Sequence, residues 1–276
     1  QYNYNAQGER VFKREPSAST NSLEHVYAFD DRGRLIHDRV VDAQTEMDST
    51  ILRISRTYDA LDRPLKVTSY DNATVGSGTV KNEVQYEYTR YSLVSKIYQE
   101  WTGAVSTSTS PKTEFAYSFP TDGTTGIRRT STTYPGGTSV TEEYNSGIDD
   151  TLSRLSGKKE SASWLFQESH LGLGRLVERE YGSSTPTAKW TLVGTDSANN
   201  DNYLGLDLFA RVDDLTVVRN GTNTNRYQYG YNYNSQITLR EDLVGNVSGS
   251  YEFDEIFTYA GLGRLTGHKR GVYSGG

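Results

Sequence analysis

The chain has 276 residues, a formal charge of −6, no cysteine and 34% hydrophobic residues. Disulfides, thiolate metal sites and cysteine nucleophiles are therefore excluded. An acidic chain with no Lys/Arg run longer than two offers no surface for nucleic acid, and no stretch approaches the roughly 20 apolar residues of a membrane span. Tyrosine outnumbers phenylalanine 21 to 8, which suits many half-buried positions, because a tyrosine packs its ring and keeps a hydroxyl for water or a partner.

In chain order, one phrase recurs: an aromatic-alternating strand, a short turn, then arginine and an aliphatic residue. A loose copy spans Tyr4 to Val11, with Gly8-Glu9-Arg10. Fuller copies follow at Tyr27-Ala28-Phe29-Asp30-Asp31-Arg32-Gly33-Arg34-Leu35 and Tyr58-Asp59-Ala60-Leu61-Asp62-Arg63-Pro64-Leu65. Val84, Tyr86 and Tyr88, then Phe115, Tyr117 and Phe119, alternate as strands with one packed face. A copy with a longer loop runs from Tyr144 to Leu155, with Arg154. Others are His170-Leu171-Gly172-Leu173-Gly174-Arg175-Leu176 and Leu206 to Val212, with Arg211. Tyr227, Tyr229, Tyr231 and Tyr233 alternate strictly, and Tyr259-Ala260-Gly261-Leu262-Gly263-Arg264-Leu265 closes the series. The tyrosines Tyr4, Tyr27, Tyr58, Tyr88, Tyr117 and Tyr144 are 23, 31, 30, 29 and 27 residues apart. A fixed phrase on a loose period means the turn chemistry is held while strands and outer loops drift.

The phrase codes for a hairpin. Asp closes the turn through its carboxylate, and Gly supplies the positive φ that a three- to five-residue loop needs. Arg then starts the return strand, with its stem along a neighbouring tyrosine ring and its cation over the face. No window shows sustained 3.6-residue apolar spacing, so helix is not expected anywhere. Polar connections at 73–79, 103–110, 121–126, 182–187, 195–202 and 220–225 read as loops at the sheet rim. None is a linker that splits the chain, and residues 1–276 are expected to be one array, an excerpt of a longer protein.

Tyr-Asp-x-x-Gly-Arg-Leu resembles the signature of YD repeats, found in bacterial Rhs proteins, shell components of insecticidal toxin complexes and teneurins. Full or near matches cover residues 1–70 and 144–276, and 71–143 matches through its tyrosine-alternating strands. The resemblance implies an all-β fold of consecutive antiparallel hairpins, in one long curved or spiralling sheet that is an arc of a shell. It also implies a secreted or cell-surface bacterial protein. Its partners would be the rest of the parent protein and an enclosed polypeptide cargo such as a toxin segment. The motif residues it marks are Tyr27, Asp30, Gly33, Arg34 and Leu35; Tyr58, Asp59, Arg63 and Leu65; Gly174, Arg175 and Leu176; and Tyr259, Gly263, Arg264 and Leu265. The toxin branch carries a self-cleaving core with Asp-Pro elements. None of the six prolines here follows an aspartate, so that core is expected outside this stretch.

Catalytic patterns are weak. His25, His37, His170 and His268 show no metal-ligand spacing, no G-x-S-x-G elbow occurs, and the glycines at 261, 263 and 267 miss the dinucleotide fingerprint. The acid pairs Asp149-Asp150, Glu142-Glu143, Asp213-Asp214 and Glu241-Asp242 sit at turns or strand ends. The oxygen-rich stretch 195–202 lacks the glycine and terminal Glu of a calcium loop. The sequons at Asn72, Asn220 and Asn246 bear on function only in a glycosylating host. The expectation is a non-enzymatic scaffold without cofactor or metal, which encapsulates or presents another polypeptide and self-associates through unpaired strand edges. The alternative is a cell-surface adhesion or carbohydrate-binding module that stacks sugars on Trp101, Trp164 and Trp190.

Overall fold

The computed structural model describes residues 1–15, 22–42, 48–119, 126–182, 188–192, 194–195, 201–202, 205–245 and 253–271. The fold is all-β. The first strands are β1 (Tyr2–Tyr4), β2 (Arg10–Glu15), β3 (Leu23–Phe29), β4 (Leu35–Asp42), β5 (Arg53–Tyr58) and β6 (Pro64–Tyr70). Next come β7 (Val80–Tyr88), β8 (Val94–Glu100), β9 (Lys112–Ser118), β10 (Arg128–Thr133) and β11 (Ser139–Glu143). A single helical turn, α1 (Ile148–Thr151), precedes β12 (Gly157–Glu160), β13 (Ser163–Leu171), β14 (Arg175–Tyr181) and β15 (Ala188–Thr191). Two two-residue strands, β16 (Gly194–Thr195) and β17 (Asp201–Asn202), pair with each other. The last are β18 (Asp214–Arg219), β19 (Thr222–Tyr231), β20 (Ile237–Asp242), β21 (Asp254–Tyr259) and β22 (Leu265–Gly271).

The chain divides into two compact units, residues 1–117 with 131–139, and 118–130 with 140–276. In the first, β1 to β9 pair in strict chain order, every neighbour antiparallel. In the second, β11 to β15 and then β18 to β22 do the same. Hairpin thus follows hairpin, as the repeated phrase predicts. The reversals expected near 33, 174 and 263 are all present, each between paired strands.

Within each unit, among the described residues, the closest strand-to-strand backbone approaches are those between ladder neighbours. Among the described residues, only Tyr98, Val177 and Leu192 are buried large apolar residues. Most strand positions are half-buried, as the tyrosine bias predicts. Stability must come from cross-strand pairs rather than from a core. In the first unit one face carries the pairs Val67–Val84 and Tyr86–Ile97. The other carries charge pairs, with Lys66 Nζ 2.9 Å from Glu83 and Lys96 Nζ 3.2 Å from Glu87. Tyr98 donates to Glu87 at 3.0 Å.

Three expectations are corrected. The absence of helix fails at α1, which sits in the long loop after Tyr144, where two acids in the first turn suit its positive end. The four-tyrosine alternation breaks at a register shift between Gly230 and Tyr231, so Tyr233 leaves the strand and stands fully exposed at a turn tip. In the 170–176 copy the positive φ falls on Gly172 (60°) rather than Gly174, and Leu171 pairs directly with Arg175. Most of the stretch 195–202, most of the loops 121–126 and 182–187, and the sequon at 246–248 lie outside the described residues.

Candidate functional site: the turn edge

Among the described residues, eight reversals share one backbone form. The N–H of the first residue donates to the carbonyl four residues on, and the N–H of the fourth donates back to the first. These turns begin at Asn5, Asp30, Asp59, Thr89, Tyr134, Asp207, Asn232 and Ala260. The fourth residue has positive φ every time: Gly8, Gly33, Asp62, Ser92, Gly137, Ala210, Ser235 and Gly263. A tight turn closed by one left-handed residue makes a bulge, which is why the ladders shift register at Tyr58, Tyr88, Tyr231 and Tyr259.

In six of the eight, the first side chain locks the loop. Asp30 accepts from the N–H groups of Arg32 and Arg34, both at 3.0 Å. Asp59 accepts from Leu61 and Arg63, and Asp207 from Phe209 and Arg211, at 2.9–3.0 Å. Asn5, Asn232 and Thr89 take the same two bonds. The first and fifth side chains are then matched to each other. Arg34, Arg63 and Arg211 donate Nε to Asp30, Asp59 and Asp207 at 2.6–2.7 Å. Where asparagine replaces aspartate, an acceptor replaces arginine: Asn5 donates to Glu9 at 2.6 Å and Asn232 to Gln236 at 2.9 Å. The Arg34 guanidinium holds the Asp30 carboxyl down at about 2, and Arg63 lowers Asp59 in the same way. Burial pushes Asp207 up, but its bonds to Arg211 outweigh that and leave it lowered.

Several of these turns are also tied to the next hairpin. The Arg34 guanidinium lies 4.5 Å from the centre of the Tyr58 ring, and Tyr58 donates its hydroxyl to the Leu35 carbonyl at 3.0 Å. Arg63 covers Tyr88 at 4.2 Å, whose hydroxyl reaches the Pro64 carbonyl at 2.6 Å. Arg211 covers Tyr231 at 4.4 Å, whose hydroxyl reaches Val212 at 2.6 Å. Tyr117, Tyr144 and Tyr259 donate likewise to Val94, Arg129 and Ile237. Burial raises the phenols of Tyr88, Tyr144 and Tyr231, which keeps them protonated donors.

A third link joins the fifth side chain of one turn to the left-handed residue of the next. Arg34 reaches Asp62 (2.6 Å), Arg63 reaches Ser92 (3.1 Å), and Arg211 reaches Ser235 (3.1 Å). Arg154 reaches the Gly172 carbonyl, Arg175 that of Ala210, and Gln236 that of Gly263. The longer loop keeps the scheme, with Arg154 on Asp149 and Ser153 at φ 52°. A polar spine therefore runs along one edge of each unit, from Arg34 to Ser92 in the first and from Arg154 to Gly263 in the second.

No family model matches the chain, and no curated protein matches it. Solved structures do. They include the crystal structure of TcdB2-TccC3-Cdc42, with TM-score 0.47 and 11% identity over 96% of this chain. A second is the Photorhabdus luminescens Tc holotoxin pore, with TM-score 0.45 and 11% identity over 96%. A third is a porin-like protein from Bacteroides uniformis, with TM-score 0.22 and 14% identity over 88% of this chain and 92% of its own. This chain spans 13% and 15% of the length of the first two. No function is carried over from any of them.

The motif residues fall as follows. Asp30, Gly33, Arg34, Asp59, Arg63 and Gly263 hold turn positions, Leu35 and Leu265 begin their return strands, and Leu65 and Leu176 stand second in theirs. Tyr58 and Tyr259 are linking tyrosines. Tyr27 is not, because Phe29 precedes Asp30 and occupies the place that tyrosine takes elsewhere. Tyr27 instead lies under Arg10 at 5.0 Å and stacks on His25. Arg264 closes its turn through backbone and makes no ion pair among the described residues. Sequence reading missed Thr89, Asn232 and the left-handed Asp62, Ser92, Ala210 and Ser235. Their signal was positional, since each stands where Asp or Gly stands in a fuller copy. The tryptophans are not alike: Trp101 is 67% exposed in a loop, whereas Trp164 is half-buried with Lys159 over its ring at 4.2 Å, and Trp190 is half-buried in β15.

Proposed function

We propose that this chain is a structural scaffold without catalytic activity, a length of YD/Rhs-type β-wall that encloses or presents another polypeptide. The observation that carries the reading is the turn spine on a sheet that has almost no core. A sheet normally buries one face against a second layer. Here arginine–tyrosine stacking, tyrosine-to-carbonyl bonds and turn-to-turn links give each hairpin its place beside the last. The same unit recurs in both compact units, which supports one repeat array over two unrelated domains. A secreted or cell-surface setting belongs to this reading, through the resemblance of the repeated phrase.

The test is cryo-electron microscopy of the polypeptide encoded by the full reading frame. The expected result is the hairpin ladder continuing as a wall around density that is not sheet. A sheet with both faces bare, or one packed on a domain with a catalytic cleft, would overturn it. Exposed Trp101 favours the glycan-binding reading at one position. A glycan array on which the chain binds, with binding abolished by Trp101→Ala, is what that reading requires.

A further inference from the structure

The turn edge of the second unit also carries exposed apolar side chains, among them Phe209, whose ring centre lies 5.0 Å from the guanidinium of the spine's Arg211. Leu173, Leu208, Phe209, Tyr233 and Leu262 occupy its turn tips and are between 79% and fully exposed. The strand order spaces these four turns two strands apart, at about 10 Å per hairpin, so the row runs for about 30 Å. Five side chains of this size expose on the order of 1,000 Å², against the roughly 800 Å² that each partner buries in a stable complex. Single exposed apolar residues are ordinary, but a row on one edge is an interaction surface.

The polar groups on the row say what fits it. The central turn is neutral, because Asp207 and Arg211 pair with each other. At one end, in the loop after Tyr144, Asp150 presents a carboxylate 43% exposed even while it takes Arg128. At the other end Arg264 has no ion-pair partner among the described residues. Arg175 and Tyr233 flank the centre on opposite sides. A second copy laid antiparallel, with its two-fold axis at the 207–211 turn, sets Arg264 against Asp150, Arg175 against the Tyr233 ring, and Phe209 against its own counterpart. That is the self-complementarity a two-fold interface needs. A parallel alignment sets Arg264 on Arg264 and gains none of these pairs.

We infer that the 173–262 turn row is a self-docking surface, which joins two copies of this chain antiparallel about Phe209. This differs from pairing through the unpaired end strands, because the tips offer side chains and no free strand backbone.

The absence of cysteine makes the test direct. Under mild oxidation at micromolar concentration, Phe209→Cys should form a disulfide-linked dimer and Leu262→Cys should not, because residue 262 faces the far end of the other copy. In sedimentation, wild type should reach the dimer mass. Phe209→Asp should raise the dissociation constant about thirtyfold, the loss expected for an aromatic at the centre of an interface. If that variant loses its strand circular dichroism, Leu262→Asp provides the same reading at the rim. Cross-linking of both cysteine variants or of neither, or a monomeric wild type, overturns the inference. Pelleting of a monomeric wild type with phosphatidylcholine–phosphatidylserine vesicles, lost in Phe209→Asp, also overturns it and makes the row a lipid-facing edge.

Discussion

Asp30, Arg34 and Tyr58 show how three side chains do the work of a missing core. Asp30 binds two backbone N–H groups and the arginine of its own turn, the arginine stacks on the next tyrosine, and that tyrosine bonds back to Leu35. Removing only the hydroxyl separates stacking from hydrogen bonding. Tyr58→Phe and Tyr231→Phe should each cost about 1 kcal/mol in urea denaturation, the usual net value of such a bond. The same change at Tyr233, exposed and outside the scheme, should cost nothing measurable. The acid response follows from the aspartates. Asp30 titrates at about 2, below its ordinary 3.8, so its contribution to stability is complete above about pH 4 and is lost as pH falls toward 2. Acid unfolding followed by circular dichroism should therefore centre below pH 4, and Asp30→Asn should shift that transition upward. An unchanged midpoint would remove Asp30 from the account. That arginine would lie on a tyrosine was legible in the phrase. That the tyrosine belongs to the following hairpin was not, because the contact joins residues such as 34 and 58 through strand pairing alone.

The turn is the element on which the repeat depends, and its left-handed position is where sequence and structure differ in an instructive way. Glycine there is the inexpensive choice, yet four of the eight turns use Asp, Ser or Ala. A non-glycine residue costs about 1 kcal/mol in this conformation. At Asp62, Ser92 and Ser235 the side chain receives the arginine of the previous turn, which offsets the strain. At Ala210 only the carbonyl is used. Ala210→Gly should therefore raise stability by up to about 1 kcal/mol, whereas Ser92→Gly should leave it near its starting value, because strain relief and the lost Arg63 bond oppose each other. Chemical denaturation of the two variants side by side checks this, and equal gains would show that the Ser92 bond contributes nothing. A search for Gly-Arg found the turns at 33 and 263 but placed the left-handed residue of the 170–176 copy two positions late, since that loop has three residues and a different geometry. The helical turn at 148–151 was invisible to periodicity, because four residues are too few to show a period.

At the scale of the whole molecule, the close backbone contacts among the described strands join ladder neighbours, so each hairpin depends first on the ones beside it. Damage should stay local. Val177, a buried apolar side chain, lies in β14 between β13 and β15. Val177→Ala should raise amide exchange in β13 to β15 and leave β5 to β7 as in wild type. Exchange that rises uniformly over both units would show a single cooperative fold instead.

What the sequence determined by itself was the local grammar: alternation sets strands, Asp and Gly set reversals, and arginine beside tyrosine sets a stack. These are interactions between residues a few positions apart, or between residue types that repeat, and a repeat makes them readable. What only the tertiary structure decided was which turn touches which. The reach from Arg63 to Ser92, the exchange of Asp–Arg for Asn–Gln at 232 and 236, and the row of exposed tips from Leu173 to Leu262 all depend on strand order and register. Register is set by the bulges at the repeat turns, such as those at Tyr58, Tyr88, Tyr231 and Tyr259, and a shift of one residue would send each of these side chains to the opposite face.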